Sequence, residues 1–258
     1  MRRLLALTIA FALTACATTP SVTGPIAEPR AYAPWTGFLD HPPGYLTREN
    51  APNAARFVPG APPAGSADEA ADLAYHRNGR PASGGVEWLQ AAADNEVETP
   101  RAPYIAFAAA LGREIDPASA PTLTLLLASV LPDVEAVQHD VKRGAFRERP
   151  YLASGAAICI EAAPWLARSS SYPSGHAAIG WAWALILAEL APEHRDAILA
   201  RGVAYGQSRA ICGVHYPSDV RDGRLVGAAL VAHLHADPAF RRDLEIARTE
   251  LAIALAAD

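Results

Sequence analysis

Three short stretches of the chain carry residue types that could act together on an oxyanion. KRGAFRERP, residues 142–150, places Lys142 and Arg149 in a run with four basic residues in eight positions. YPSGH, residues 172–176, ends in His176 and leads into an apolar run. SRAICGVHYPSD, residues 208–219, sets His215 six residues after Arg209 and Asp219 four beyond that, with serine, glycine and proline breaking the stretch around a turn. Arg149 and Arg209 offer planar forks that match phosphate oxygens, and Lys142 adds a point charge. Ser174 precedes a helix, so its hydroxyl and the backbone N–H groups of Gly175 and His176 lie where helix N-termini bind anions. Glycine there lets an anion approach the backbone closely. Together these groups can stabilise the three equatorial oxygens of a phosphoryl group in transfer, work that a metal does elsewhere. No metal site and no cofactor are expected.

Taken singly, each piece has an ordinary explanation. A basic run is usually a solvated face, Ser174 is a good N-cap, and Asp219 is a first-turn carboxylate that a helix dipole favours. The order and spacing of all three blocks argue against coincidence. Outside them the histidines carry no chemistry: His233 and His235 stand two apart on a helix and so face different ways. Trp181 and Trp183 read as core. Tyr172, beside the Ser174 loop, is a candidate for the border of a leaving-group pocket.

These residues need a scaffold. With 258 residues, 51% hydrophobic and 19% charged, the chain can bury a real core. From about Ala67 onward, alanine- and leucine-rich segments alternate with proline and glycine, and strand alternation is absent. HAAIGWAWALILAEL, 176–190, is apolar on nearly every face and predicts a central buried helix. Asp237 caps a C-terminal helix in which Pro238 takes the first turn and Phe240, Leu244, Ala247, Leu251 and Leu255 recur at helical spacing. The expected fold is therefore all-α, a single compact multi-helix domain over 67–258. Residues 16–66 precede it as a proline-rich tether or arm, with Trp35, Phe38 and Leu39 apolar enough to dock.

The N-terminus gives location. Arg2 and Arg3 precede an apolar stretch, Leu4 to Leu13, too short to span a bilayer with ease, so residues 1–15 read as a signal peptide. It ends in LTAC, which resembles the bacterial lipobox, where Cys16 bears lipid; the alternative is an ordinary cleaved signal with Cys16 incidental. No aspartate follows the cysteine, so the expectation is a periplasmic protein, lipid-anchored to the outer membrane. Cys159 and Cys212 remain in an oxidising compartment, where one disulfide is expected and two buried thiols are the alternative. The formal net charge is −5, so no basic excess exists to bind nucleic acid, and an anion site must be a local cluster. A homo-oligomer is compatible with the sequence, which specifies none.

The three blocks, KxxxxxxRP, PSGH and SRxxxxxHxxxD, match the signature of the type 2 phosphatidic acid phosphatase superfamily, and the surrounding 55–250 resembles the exported class A non-specific acid phosphatases of bacteria. The resemblance implies hydrolysis of small phosphomonoesters, releasing inorganic phosphate. It implies His215 as nucleophile through a phosphohistidine, Asp219 orienting it, and His176 as general acid and then base, with Lys142, Arg149, Ser174, Gly175 and Arg209 holding phosphate. Some phosphotransfer to alcohols is an expected side activity. Two alternatives share the signature: a lipid phosphate phosphatase, usually with several membrane spans, and a vanadium-dependent haloperoxidase, usually a longer chain. A non-catalytic phosphate-binding lipoprotein would have no need of His176, His215 and Asp219.

Overall fold

The computed structural model of the protein describes residues 32–33, 35, 40–144 and 146–257. Cys16, the 1–15 segment, Phe38 and Leu39 lie outside them. Among the described residues the regular elements are all helical and none is a strand, as the absence of alternation implied. In chain order they are α1 (Ala67–Ala74), α2 (Val86–Ala93), α3 (Ala102–Leu111), α4 (Pro121–Gly144), α5 (Pro150–Ser154), α6 (Gly175–Leu190), α7 (Arg195–Cys212), α8 (Pro217–Leu234) and α9 (Pro238–Ala256).

The centre is α6, the all-round apolar segment. It packs against α7, α8 and α4, and eleven of its residues from Ala177 to Leu190 are buried. A helix without a polar face has no stable place except between others, which is why α7 and α8 flank it. Trp183 satisfies its one polar atom by donating Nε1–H to the Leu127 carbonyl of α4 at 2.8 Å. Ser174 starts α6 by accepting from the Ala177 N–H at 3.3 Å. The start also abuts α8, because a Cβ on Gly223 would stand 2.4 Å from the Ser174 carbonyl oxygen. Small side chains on α8 thus press the first turn of α6 against the helix that carries Asp219. The C-terminal helix α9 forms as its pattern requires, with Asp237 Oδ1 accepting from Ala239 and Phe240 and an apolar stripe on α4.

The turn from α7 into α8 reverses the chain within five residues. Gly213 takes φ +87°, a left-handed conformation that costs glycine least, and the N–H groups of Val214 and His215 both return to the Arg209 carbonyl. The remaining C-terminal carbonyls of α7 find a cation: Arg80 donates to Ile211 O at 3.0 Å and Cys212 O at 3.2 Å. Pro217 then occupies the first turn of α8.

Parts of the proline-rich stretch lie on the helical body. Trp35 is buried against Leu125 and Ala128 and donates to the Glu98 carbonyl at 2.6 Å. The N–H groups of Tyr45 and Leu46 donate to the buried Asp133 carboxylate, and the Gly60 N–H donates to Tyr172 Oη at 3.0 Å. Cys159 and Cys212 form the disulfide, across a sequence separation of 53. It ties the long α5–α6 connection to the end of α7, beside the Gly213 turn. In the chain-entropy model a loop of that length is worth about 4 kcal/mol at most. Cys159→Ala/Cys212→Ala should therefore lower the free energy of unfolding by up to about 4 kcal/mol, read from urea denaturation of both proteins under non-reducing conditions. A change below about 0.5 kcal/mol would show that the connection is held without the bridge.

Candidate active site

A cavity of about 670 Å³ opens between the ends of α2, α4, α6 and α7, and its inner end is formed by Lys142, Arg149, Gly175, His176, Arg209 and His215. The three sequence blocks therefore meet in one place. Lys142, in the last turn of α4, donates to the carbonyls of Pro173 at 2.8 Å and Ser170 at 3.2 Å. Arg149, just before α5, donates to the carbonyls of Leu166 at 2.9 Å, Ser169 at 3.3 Å and Val214 at 3.0 Å. Arg209 is 1% exposed, and one of its nitrogens donates to Asn95 Oδ1 at 3.1 Å. Its Nε and Nη1 are buried with no protein partner. Buried donors without acceptors are costly, and an anion in the cavity is the group that would satisfy them.

The imidazole of His215 sits between a cation and an anion. Its Nε2 lies 3.0 Å from Arg149 Nη1. A guanidinium can only donate, so Nε2 carries the lone pair and Nδ1 the proton. That proton faces Asp219 Oδ2 and Ser171 Oγ, each at 3.5 Å. Asp219, one turn into α8, is fully buried and holds four further bonds. Its Oδ2 accepts from Ser171 Oγ at 2.5 Å and from the Tyr216 N–H at 2.8 Å, and its Oδ1 from Arg147 Nη1 at 2.5 Å; its backbone carbonyl accepts from Ser174 N at 3.0 Å. Arg147 continues the chain to Asp72 of α1 at 2.8 Å and to Ser218 Oγ at 2.8 Å, with its guanidinium 4.1 Å from the Tyr216 ring centroid.

Charge and burial set the protonation states. Burial, with the Arg149 charge behind it, pushes His215 down to about 3 although Asp219 opposes the shift. Burial likewise carries His176 well below its usual 6.5, and the Arg209 charge adds to it. Its Nε2–H donates to the Asn95 carbonyl at 3.0 Å. Lys142 is brought down to about 8 by burial and by Arg149. Burial works to raise Asp219, but its hydrogen bond with His215, the Arg147 charge and the Ser171 hydroxyl outweigh it and hold the carboxylate at about 2. In the ligand-free cavity both histidines are neutral near pH 7 and the guanidinium groups remain charged.

Two of the residues singled out from sequence stand apart from the inner wall. Ser174 is buried behind it, where its oxygen caps α6. Tyr172 turns away from the cavity: its hydroxyl donates to Asp222 Oδ2 at 2.8 Å and accepts from Gly60 N–H. Sequence reading passed over Arg147, Ser171, Asn95 and Gln138. Arg147 had a visible signal as the third base of the first block. Asn95 had none, since it arrives from the α2–α3 loop, held by its neighbour Asp94, which accepts from Ser208 Oγ at 2.6 Å and pairs with Arg201.

Residues 121–243, from the start of α4 into α9, match the PAP2 superfamily. A non-specific acid phosphatase of Providencia stuartii is 37% identical over 210 residues, 81% of this chain and 84% of that protein. An acid phosphatase of Zymomonas mobilis is 38% identical over 191 residues, covering 74% and 72% of the two chains. A non-specific acid phosphatase of Salmonella typhimurium is 35% identical over 207 residues, covering 79% and 82%. With its signature residues gathered in one cavity and identity of this order along most of its length, the chain belongs to the PAP2 superfamily and, within it, to the non-specific acid phosphatases.

Proposed function

We propose that the protein is an exported, metal-independent phosphatase that hydrolyses phosphomonoesters through a phosphohistidine at His215. The observation that carries this reading is the polarity of the His215 ring, with Nε2 open toward the cationic end of the cavity and Nδ1 toward Asp219. The phosphoryl oxygens would take the place of Nε2 as acceptors for Arg149 and would satisfy the free nitrogens of Arg209. Lys142 and the N–H groups at the start of α6 complete the cradle, with Ser174 behind them fixing that first turn. The Nε2 lone pair forms a bond to phosphorus as the bond from phosphorus to the ester oxygen breaks, and His176 gives the leaving alkoxide its proton. Water then returns a proton to His176 while its oxygen attacks phosphorus; the phosphorus–nitrogen bond breaks and neutral His215 and inorganic phosphate are restored. An alcohol in place of water gives phosphotransfer by the same step.

Fixed cations carry the electrostatic work in this scheme, so EDTA should leave hydrolysis of an aryl phosphate unchanged, while His215→Ala should lose on the order of 10³-fold in kcat or more. Turnover that survives the substitution, or that EDTA abolishes, would sink the mechanism. Full-length folded protein with no turnover of any ester would overturn the phosphatase reading itself.

The pH dependence follows from His176, which must be protonated to act as acid although the empty cavity holds its pKa low. On the alkaline limb kcat/KM should fall roughly tenfold per pH unit as the acid form is lost. Bound phosphoryl oxygens offset the charge of Arg209 and raise His176, so the limb in kcat should lie at higher pH than the limb in kcat/KM. Profiles of both parameters between pH 4 and 9 test this, and an activity that climbs into alkali contradicts the assignment.

For location, the lipobox-like LTAC supports cleavage before Cys16 and a lipid on its sulfur, facing the periplasm from the outer membrane. Among the described residues no helix is long and apolar enough to cross a membrane. Labelled palmitate fed to cells should enter the wild-type protein and not Cys16→Ser; equal absence from both would leave a simply cleaved signal.

A further inference from the structure

The catalytic cavity is polarised along its depth. Its inner end holds Lys142, Arg149 and Arg209, whereas its outer wall carries Glu96, Glu98, Glu135 and Glu161. Glu96, Glu135 and Glu161 are exposed and Glu98 is half-buried, and among the described residues none of the four forms an ion pair. Glu96 turns back to accept from the N–H groups of Glu98 and Thr99, and Glu135 accepts from Gln138 Nε2 at 2.8 Å. The same outer wall includes Trp165, whose side chain sits in a residue 58% exposed on the disulfide-tied connection.

Two further atoms point to a ligand rather than to a solvated acidic face. Arg209 brings its unpartnered Nε and Nη1 to the inner end. Gln138, fully buried and lining the cavity beside Gly175, has an Oε1 without a donor, so the cavity wall offers an acceptor as well. A phosphomonoester bound with its phosphoryl group inward must lay its alcohol portion along that acceptor, the carboxylates and the indole. Carboxylates and an exposed aromatic face are the chemistry that recognises an ammonium group. They also repel a second negative charge, and a cleft wall of one sign focuses that field on whatever enters.

Resting on the phosphatase reading above, we infer that the outer wall selects the leaving group by charge, taking phosphomonoesters of ammonium-bearing alcohols first, neutral ones next, and disfavouring those with a further anionic group. The side chains act on the alcohol portion, away from the bonds that form and break, so the effect is one of specificity and resides chiefly in kcat/KM.

The test uses the full chain and three probes of similar size: O-phosphoethanolamine, 2-hydroxyethyl phosphate and phosphoglycolate. The expected order of kcat/KM is cationic, neutral, anionic, with a span of about tenfold or more at low salt. Intrinsic reactivity differs among these alcohols, so the deciding readout is how the cationic-to-anionic ratio responds to charge screening. It should collapse toward its uncatalysed value as ionic strength rises toward 1 M, where the screening length falls to about 3 Å. It should also collapse in Glu98→Gln/Glu135→Gln/Glu161→Gln. A ratio indifferent to both salt and the substitutions overturns the inference while leaving the phosphatase reading intact. Absence of turnover with all three probes and with an aryl phosphate overturns both. If the triple variant fails to fold, the salt series on the wild type decides alone.

Discussion

The constraint on which the rest depends is the gathering of three cations at the inner end of one cavity, none of them in an ion pair with a carboxylate among the described residues. Lys142, Arg149 and Arg209 are anchored almost entirely by neutral acceptors: the carbonyls of Pro173, Ser170, Leu166, Ser169 and Val214, and the amide oxygen of Asn95. A carbonyl fixes the direction of an N–H without cancelling the charge behind it, so the positive field remains available to a ligand. Carboxylates in the same places would have made a stable ion-pair network and a poor anion site. Burial is the largest cause of the depressed pKa values of Lys142, His176 and His215, and the neighbouring guanidinium charges add to it.

Holding so many carbonyls at set points explains the shape of the scaffold. Four of the five carbonyls come from residues 166–173, at the end of a connection with little regular structure, and the disulfide to Cys212 ties an earlier point of it to α7. The fifth comes from the turn after Gly213, whose position Arg80 fixes from below. Asn95 depends on the α2–α3 loop. That loop is tied to α7 through Asp94, Ser208 and Arg201, and to the N-terminal arm through Trp35 and the Glu98 carbonyl. The arm therefore reaches the cavity wall by contact with its loops, though it supplies none of the charged groups.

How much of this was legible in the sequence follows from what each residue does. The helices α6 and α9 were readable because burial on every face and burial on one stripe leave different apolar patterns, and Asp237 announces its cap. Lys142, Arg149, His176, Arg209 and His215 were readable because fixed spacings carried them. Residues that act through a loop were hidden: Asn95 contributes one amide oxygen and one carbonyl from a loop whose course no local pattern states. Tyr172 stands differently from its expected place at the pocket border. Adjacency to the Ser174 turn suggested the pocket, but its hydroxyl is taken by Asp222 and the Gly60 N–H.

The chain from His215 to α1 gives Asp219 a role that a simple orienting carboxylate would not fulfil in acid. An ordinary aspartate begins to take up protons near pH 4 and would then lose its hold on an imidazole N–H. Here the bond to His215 itself, then the Arg147 charge and the Ser171 hydroxyl, hold the carboxylate at about 2 in spite of its burial. Arg147 in turn is held by Asp72 of α1, so the two buried carboxylates share one guanidinium and neither is left uncompensated. The tautomer of His215 is therefore fixed from both sides over the acidic range in which the proposed mechanism needs His176 protonated. The pair of conditions is hard to meet with two histidines in one cavity. In the proposed mechanism it is met when a bound phosphoryl group offsets the Arg209 charge that lowers His176, while burial and Arg149 keep His215 neutral beside the ionised Asp219.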